Sequence, residues 1–223
     1  MHIRPAQPTD FSAMSHVAFD AMLDDELSAF ISPYRRQHPE CLRLSNLRRA
    51  KIRYYSGKHL LVAILDSSDA GWDGTDRVVG YLSAIDPEAR GERGSRWSDK
   101  LEVALLNLER KAVEYTFADR SVSRRNLRQF RSTVMDASDL ACFSDVPRHW
   151  EIDFLAVDPK VQGRGLGRLL VNAVQKLATE DDLPVVLIAS VKGRPVYRKC
   201  GFVERGEVNL GADVRGQAMV WKP

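Results

Sequence analysis

Cysteine is scarce in this chain of 223 residues. The three present, Cys41, Cys142 and Cys200, are odd in number and far apart. That argues against a disulfide framework and for reduced thiols, as in a cytoplasmic or nuclear protein. No C-x-x-C pair and no histidine cluster occurs, so no metal is expected. No apolar run approaches the length of a membrane span. The opening residues, MHIRPAQPTD, are too polar for a secretory signal. A large excess of one charge is missing too: the net charge of +3 does not by itself argue for nucleic acid. What remains is an ordinary globular composition, 44% hydrophobic and 28% charged, in a length that suits one large domain or one domain with an insertion.

The most informative stretch runs from Glu151 to Gly167, EIDFLAVDPKVQGRGLG. Trp150 to Val157 is apolar and β-branched enough for a buried strand, and Asp158-Pro159 stops it. Gly163, Gly165 and Gly167 then remove Cβ atoms where a ligand would approach the backbone. Leu166, Leu169, Leu170, Ala173, Val174, Leu177 and Ala178 follow with helical spacing. Free N–H groups at a helix N-terminus, with Arg164 and Arg168 nearby, make an anion site. A Walker loop is excluded because no Lys-Ser/Thr follows the glycines. A dinucleotide fingerprint is excluded because its third glycine falls on Arg168 or Leu170. A glycine-rich turn without a ligand is the plainer alternative.

Three elements in order carry a resemblance. Leu155 to Pro159 reads L-A-V-D-P; Gln162, Gly165 and Gly167 fit Q/R-x-x-G-x-G/A; Tyr197, Gly201 and Phe202 fit aromatic-x-x-x-Gly-Phe. The chain resembles the GNAT superfamily of acetyl-CoA-dependent N-acetyltransferases, firmly over about residues 150 to 206 and loosely before them. The resemblance implies an α/β (α+β) fold, a mixed central sheet flanked by helices, in one domain spanning 1–223. It implies a coenzyme diphosphate on the N–H groups of Gln162, Gly163, Arg164, Gly165, Leu166, Gly167 and Arg168. It implies a thioester and pantetheine arm along Leu155, Ala156 and Val157, where the family's central strand splays from its neighbour. Helices expected between residues 87 and 147 exceed a minimal domain of this family and are read as an insertion covering the acceptor side.

Acyl transfer to an amine needs a base, hydrogen-bond donors for the thioester oxygen and an acid for the thiolate. Tyr197 stands in the family's tyrosine position, and a phenol stays protonated at neutrality. For the base, Glu151 occupies a register used by catalytic glutamates in the family. Asp153 is closer in sequence to the thioester, and both share strand parity with Leu155 and Val157. Glu151 lies roughly 13 Å from Leu155 along an ideal strand, which favours a water relay. His149 can serve instead, and the family includes members without a dedicated base.

The expected activity is transfer of acetyl from acetyl-CoA to a primary amine in a ternary complex. A non-catalytic acyl-CoA-binding module is the alternative, with Tyr197 as the discriminating residue. The acceptor is a small molecule or peptide. Asp20, Asp24, Asp25 and Glu26 lean weakly towards a cationic amine. The arginines and lysines of residues 33–58, and Arg124, Arg125, Arg128 and Arg131, read as solvated helix faces, which argues against nucleic acid as a partner. A homodimer is left open.

Overall fold

The computed structural model describes residues 1–87, 96–135 and 141–223. Its strands are β1 (His2–Pro5), β2 (His59–Ile64), β3 (Val78–Ile85), β4 (Trp150–Val157), β5 (Val185–Ala189), β6 (Val203–Gly211) and β7 (Val214–Trp221). They form one sheet in the order β1-β2-β3-β4-β5-β7-β6. Every neighbouring pair is antiparallel except β4–β5. A parallel pair requires a crossover, and the helix after the glycine loop supplies it.

Three helices precede β2: α1 (Phe11–Met22), α2 (Glu26–Ile31) and α3 (Pro39–Tyr55). Two follow β3: α4 (Trp97–Thr116) and α5 (Arg124–Met135). The crossover is α6 (Leu166–Glu180), and α7 (Arg194–Lys199) follows β5. The strand expected at Trp150–Val157 and the helix expected after the glycines are in place. A helix pattern that the sequence carries from Arg124 to Ala137 is α5 as far as Met135, and residues 136–137 fall outside the described residues. The short α2 was not foreseen; Asp25 caps it by accepting from the Ser28 N–H at 2.9 Å.

Two apolar layers sandwich the sheet. On one face Leu166, Leu170, Val171, Val174 and Ala178 of α6 pack on Val79, Leu82, Ile152 and Leu187. On the other, Phe11, Met14, Val17 and Ala18 of α1 and Ala50 of α3 pack on Leu60, Val62, Tyr81 and Ala156. Truncating Leu170, which has no exposed surface, to alanine costs about 2–5 kcal/mol. β5 reads as a strand buried on both faces, yet Ile188 is 41% exposed. It lies over Gly216 of β7, where a Cβ would come within 2.5 Å of its Cγ2.

α4 turns the opposite way from its apolar stripe. Leu101, Leu105, Leu108 and Tyr115 are all exposed, and Leu106 alone is buried. The side of α4 that meets α3 carries Asn107 and Arg110 and borders a cavity instead of the core. α5 lies on β6 and α2.

Candidate functional site

β4 holds two departures from a regular strand, and both fall where the site forms. The first is a bulge against β3. Phe154 pairs with Ser83 and Ile152 with Ala84, leaving Asp153 as the extra residue. Before it, Trp150 and Ile152 face α6; after it, Leu155 and Val157 do, while Phe154 and Ala156 face α1 and α3. The expected shared parity of Glu151, Asp153, Leu155 and Val157 is therefore wrong. The added residue switches faces, so the two carboxylates lie on the α3 side and the two apolar side chains on the α6 side.

The second departure is the end of pairing with β5. The parallel ladder runs only from Trp150↔Val185 to Ile152↔Leu187, although both strands continue. Beyond Ile152 a gap opens. The Asp158 N–H donates to the Val79 carbonyl at 2.8 Å, which fixes the antiparallel alternation with β3. Ala156 and Phe154 bond towards β3, whereas the N–H and C=O groups of Leu155 and Val157 point into the gap. Consistent with this, the Gln162 side-chain amide donates to the Val157 carbonyl at 2.9 Å. Of the expected arm-binding residues, Leu155 offers its N–H and C=O there, Val157 offers its N–H, and Ala156 offers neither.

The glycine loop sits at the mouth of that gap. Gly163 and Gly165 have φ of 80° and 88°, and Gly165 is the N-cap of α6. A side chain at either position meets no steric obstacle but would be held in a left-handed backbone. Gly167 differs: a Cβ there would touch Val196 of α7 at 3.4 Å, so its role is packing. The first α6 bond runs from the Leu169 N–H to the Gly165 carbonyl, so the N–H groups of the preceding turn have no helical acceptor. Arg164 bonds the Ala70 carbonyl in the β2–β3 loop, and Arg168 lies beside the Cys200 thiol. Burial pushes that thiol up, with Arg168 opposing.

Tyr197 of α7 lies on the α6 side of the gap. Its ring is 7% exposed and meets Phe202 edge-on at 5.8 Å. Gly193 makes room, because a Cβ there would sit 3.2 Å from the ring. Burial raises the phenol well above its ordinary range. No described residue hydrogen-bonds its hydroxyl.

The acids occupy the other side. Burial would raise Asp153, but Arg53 and then Lys58, at 3.2 and 2.7 Å, hold it below the usual carboxylate range. The Ser83 hydroxyl lies beside it and lowers it further, and its buried Oδ1 receives no N–H. Arg53 also lies over the Phe154 ring, which stacks on Tyr81. Glu151 is half-buried; burial first, and the Asp153 charge second, push its carboxyl up. His149 is tied to the Val146 carbonyl at 2.6 Å. A cavity of about 1340 Å³ opens on this side, walled by α3, α4, α5 and Asp153. Arg48, Arg49 and Arg53 line it, as do Arg124, Arg128 and Arg131, so these are not merely the outer faces of their helices. Their location was missed because a basic helix face reads the same whether it borders bulk water or an open cavity. The acidic patch is engaged elsewhere: Asp24 pairs with Arg36, and its carbonyl accepts from Lys192.

A family model described as an acetyltransferase (GNAT) domain matches residues 106–223. The chain belongs to the GNAT acetyltransferase family. Membership implies acetyl-CoA as acyl donor and transferase chemistry. An acetyltransferase of Stachybotrys chartarum is 25% identical over 211 residues, spanning 93% of this chain and 83% of that one. The fold is similar to a solved structure from Corynebacterium glutamicum described as histone acetyltransferase HPA2 and related acetyltransferase. That match has a TM-score of 0.60 and 18% identity, covering 99% of this chain and 95% of the other. A Drosophila melanogaster polyamine N-acetyltransferase, described as forming N-acetylagmatine, matches with a TM-score of 0.55 and 16% identity, covering 100% and 99%. Among the described residues, no helix is long and apolar enough to cross a membrane. The GNAT chain therefore presents a glycine loop and a phenol on one face of an interrupted sheet, and two carboxylates on the other.

Proposed function

We propose that this protein moves the acetyl group of acetyl-CoA directly onto a primary amine, the two substrates meeting in the gap between β4 and β5. The observation that carries this reading is the pair of backbone groups at Leu155 and Val157 aimed into that gap beside the open helix mouth. The residues fit the donor. The free N–H groups from Gly163 to Arg168 suit a diphosphate, and the gap suits an extended arm. Acetyl-CoA supplies the activated acyl carbon.

The chain's own groups divide the proton work. Leu155 and Val157 N–H groups are placed to stabilise charge on the thioester oxygen. Glu151, with its raised pKa, takes a proton from the ammonium, through water because of its distance. Asp153 stays ionised beside Arg53 and Lys58 and orients the amine with its Oδ1, which receives no N–H from the protein. Tyr197, kept protonated by burial, gives its proton to the leaving thiolate. As the C–S bond breaks and the C–N bond forms, the amine loses one further proton, which balances the one given to sulfur. Cys200 is kept as a thiol by burial, which favours direct transfer over an acyl-enzyme.

The helices between β3 and β4 are read as a cover over the acceptor side of this single domain. The free phenol at Tyr197 favours catalysis over a non-catalytic coenzyme-binding role. A thiol-release assay with acetyl-CoA across an amine panel tests the reading. Tyr197→Phe should lower kcat about 100-fold while calorimetry shows coenzyme affinity changed less than about twofold. An unchanged kcat removes the acid; no calorimetric binding of CoA or acetyl-CoA by folded protein ends the whole reading.

A further inference from the structure

The cavity beside Asp153 has a lopsided charge. Ten arginine and lysine side chains line it against three carboxylates, Glu114, Asp119 and Asp153, although the whole chain is only +3. Ion pairs account for part of the excess: Arg53 and Lys58 with Asp153, Arg48 with Glu109, Arg131 with Glu114. Arg124 lies on the Phe117 ring and donates to the Glu114 carbonyl. Arg49, Arg110, Lys111 and Arg120 have no ion pair or hydrogen bond among the described residues. A further group points to a ligand. The Arg48 Nε is buried and unpartnered in the cavity wall. Buried polar atoms are almost always satisfied, and this donor is not. The Asp153 carboxylate has the Ser83 hydroxyl beside it as well as Arg53 and Lys58.

These features are complementary to one kind of molecule. Asp153 Oδ1 can accept an N–H from an amine, while the unpaired cations of α3, α4 and the turn after α4 attract negative charge. A polyamine satisfies the first feature and is repelled by the second. The volume, about 1340 Å³, exceeds that of ordinary small-molecule pockets and leaves room for several charged groups. A concave hollow between three helices, open to solvent, suits a small molecule better than a nucleic-acid strand, which would follow a continuous basic face.

We propose that the acceptor is an anionic amine, a small molecule carrying its primary amine on a body with phosphate or carboxylate groups. The amine lies on Asp153 and the anionic groups lie on Arg49, Arg110 and their neighbours. This inference rests on the acetyltransferase reading above and replaces the weak lean towards a cationic acceptor drawn from Asp24 and its neighbours.

Calorimetry on the full chain saturated with CoA tests it, with inorganic tripolyphosphate and spermine as probes. Saturation keeps the glycine loop from binding the polyphosphate. Tripolyphosphate should bind and spermine should not. The double variant Arg49→Gln/Arg110→Gln should weaken tripolyphosphate at least tenfold, while Arg49→Lys/Arg110→Lys should stay within about threefold of the parent. Circular dichroism confirms that each variant is folded. In turnover, O-phosphoethanolamine should exceed ethanolamine at least tenfold in kcat/KM, and the Gln pair should erase that preference. Tighter binding of spermine overturns the inference. So does an unaltered tripolyphosphate affinity in the Gln pair, or displacement of the probe by a single-stranded oligonucleotide at equal phosphate concentration. Loss of CoA affinity in the Gln pair would assign the cavity to the donor and also overturn it. Coenzyme binding without tripolyphosphate binding defeats this inference alone, whereas no coenzyme binding at all defeats the reading beneath it.

Discussion

The two sides of the interrupted sheet are built by different means. On the α6 side, short-range chemistry does most of the work: a strand stop at Pro159, two left-handed glycines and a helix with a well-spaced apolar face. On the α3 side nothing local announces the site. Arg53 with Lys58, Arg110 and Asp153 come from three parts of the chain and meet only after the sheet and helices have packed. The first side offers main-chain donors, which any side chains can surround. The second offers charged side chains, whose identity selects the partner. On the proposed reading, donor recognition tolerates changes of sequence outside its glycines, and acceptor recognition does not.

Substitutions can break this contrast, and the largest effect is expected at the loop. Gly165→Val places a β-branched residue at φ 88°, a conformation that costs an L-residue at least about 1–2 kcal/mol and that closes the backbone to an anion. Coenzyme affinity by calorimetry should fall at least tenfold, with tripolyphosphate binding in the cavity retained. An equal loss at both sites would mean that the sides are not independent.

Next is Asp153→Asn, which removes the carboxylate from two cations and should lower stability by about 2–3 kcal/mol in urea unfolding at neutral pH. Asp153 has a depressed folded-state pKa, so its contribution is full above the ordinary aspartate value near ~4 and is lost as pH falls through the folded value. The gap in stability between parent and variant should therefore shrink below about pH 4. A gap that persists at pH 2–3 would show that the carboxylate's charge is not what stabilises. Glu151 behaves in the opposite sense. Its raised pKa makes ionisation unfavourable to the fold, so Glu151→Gln should gain stability relative to the parent as pH rises through the folded value. Matched unfolding curves at pH 4 and pH 8 measure this.

The smallest effect is expected on the outer stripe of α4. Leu105 and Leu108 are 52% and 64% exposed, so Leu105→Gln and Leu108→Gln should each change the melting free energy by less than about 0.5 kcal/mol. A larger loss would show that this face is covered in solution.

The same contrast explains how far the sequence could be read. The run from Trp150 to Glu180 was legible because periodicity, proline and glycine act on their own neighbours. Tyr197 was legible through its spacing to Gly201 and Phe202. The bulge at Asp153 was not, since an extra residue is defined by its partner strand and Ser83 and Ala84 lie about seventy positions away. The direction in which α4 faces was misleading for a similar reason. Its leucines follow helical spacing, but a cavity, not a core, lies beneath the helix. Asp24 and Asp25 drew attention as charges and turned out to be an ion-pair partner and a helix cap.

The extra residue in β4 acts as a phase shift along one continuous ribbon. Upstream of it, odd-numbered side chains lie on the α3 face; downstream they lie on the α6 face. On the proposed reading, the carboxylates that meet the amine and the backbone that cradles the thioester can therefore change separately. Excising Asp153 would leave Glu151 and Leu155 on the faces they now hold, and would remove the carboxylate that meets Arg53 and Lys58.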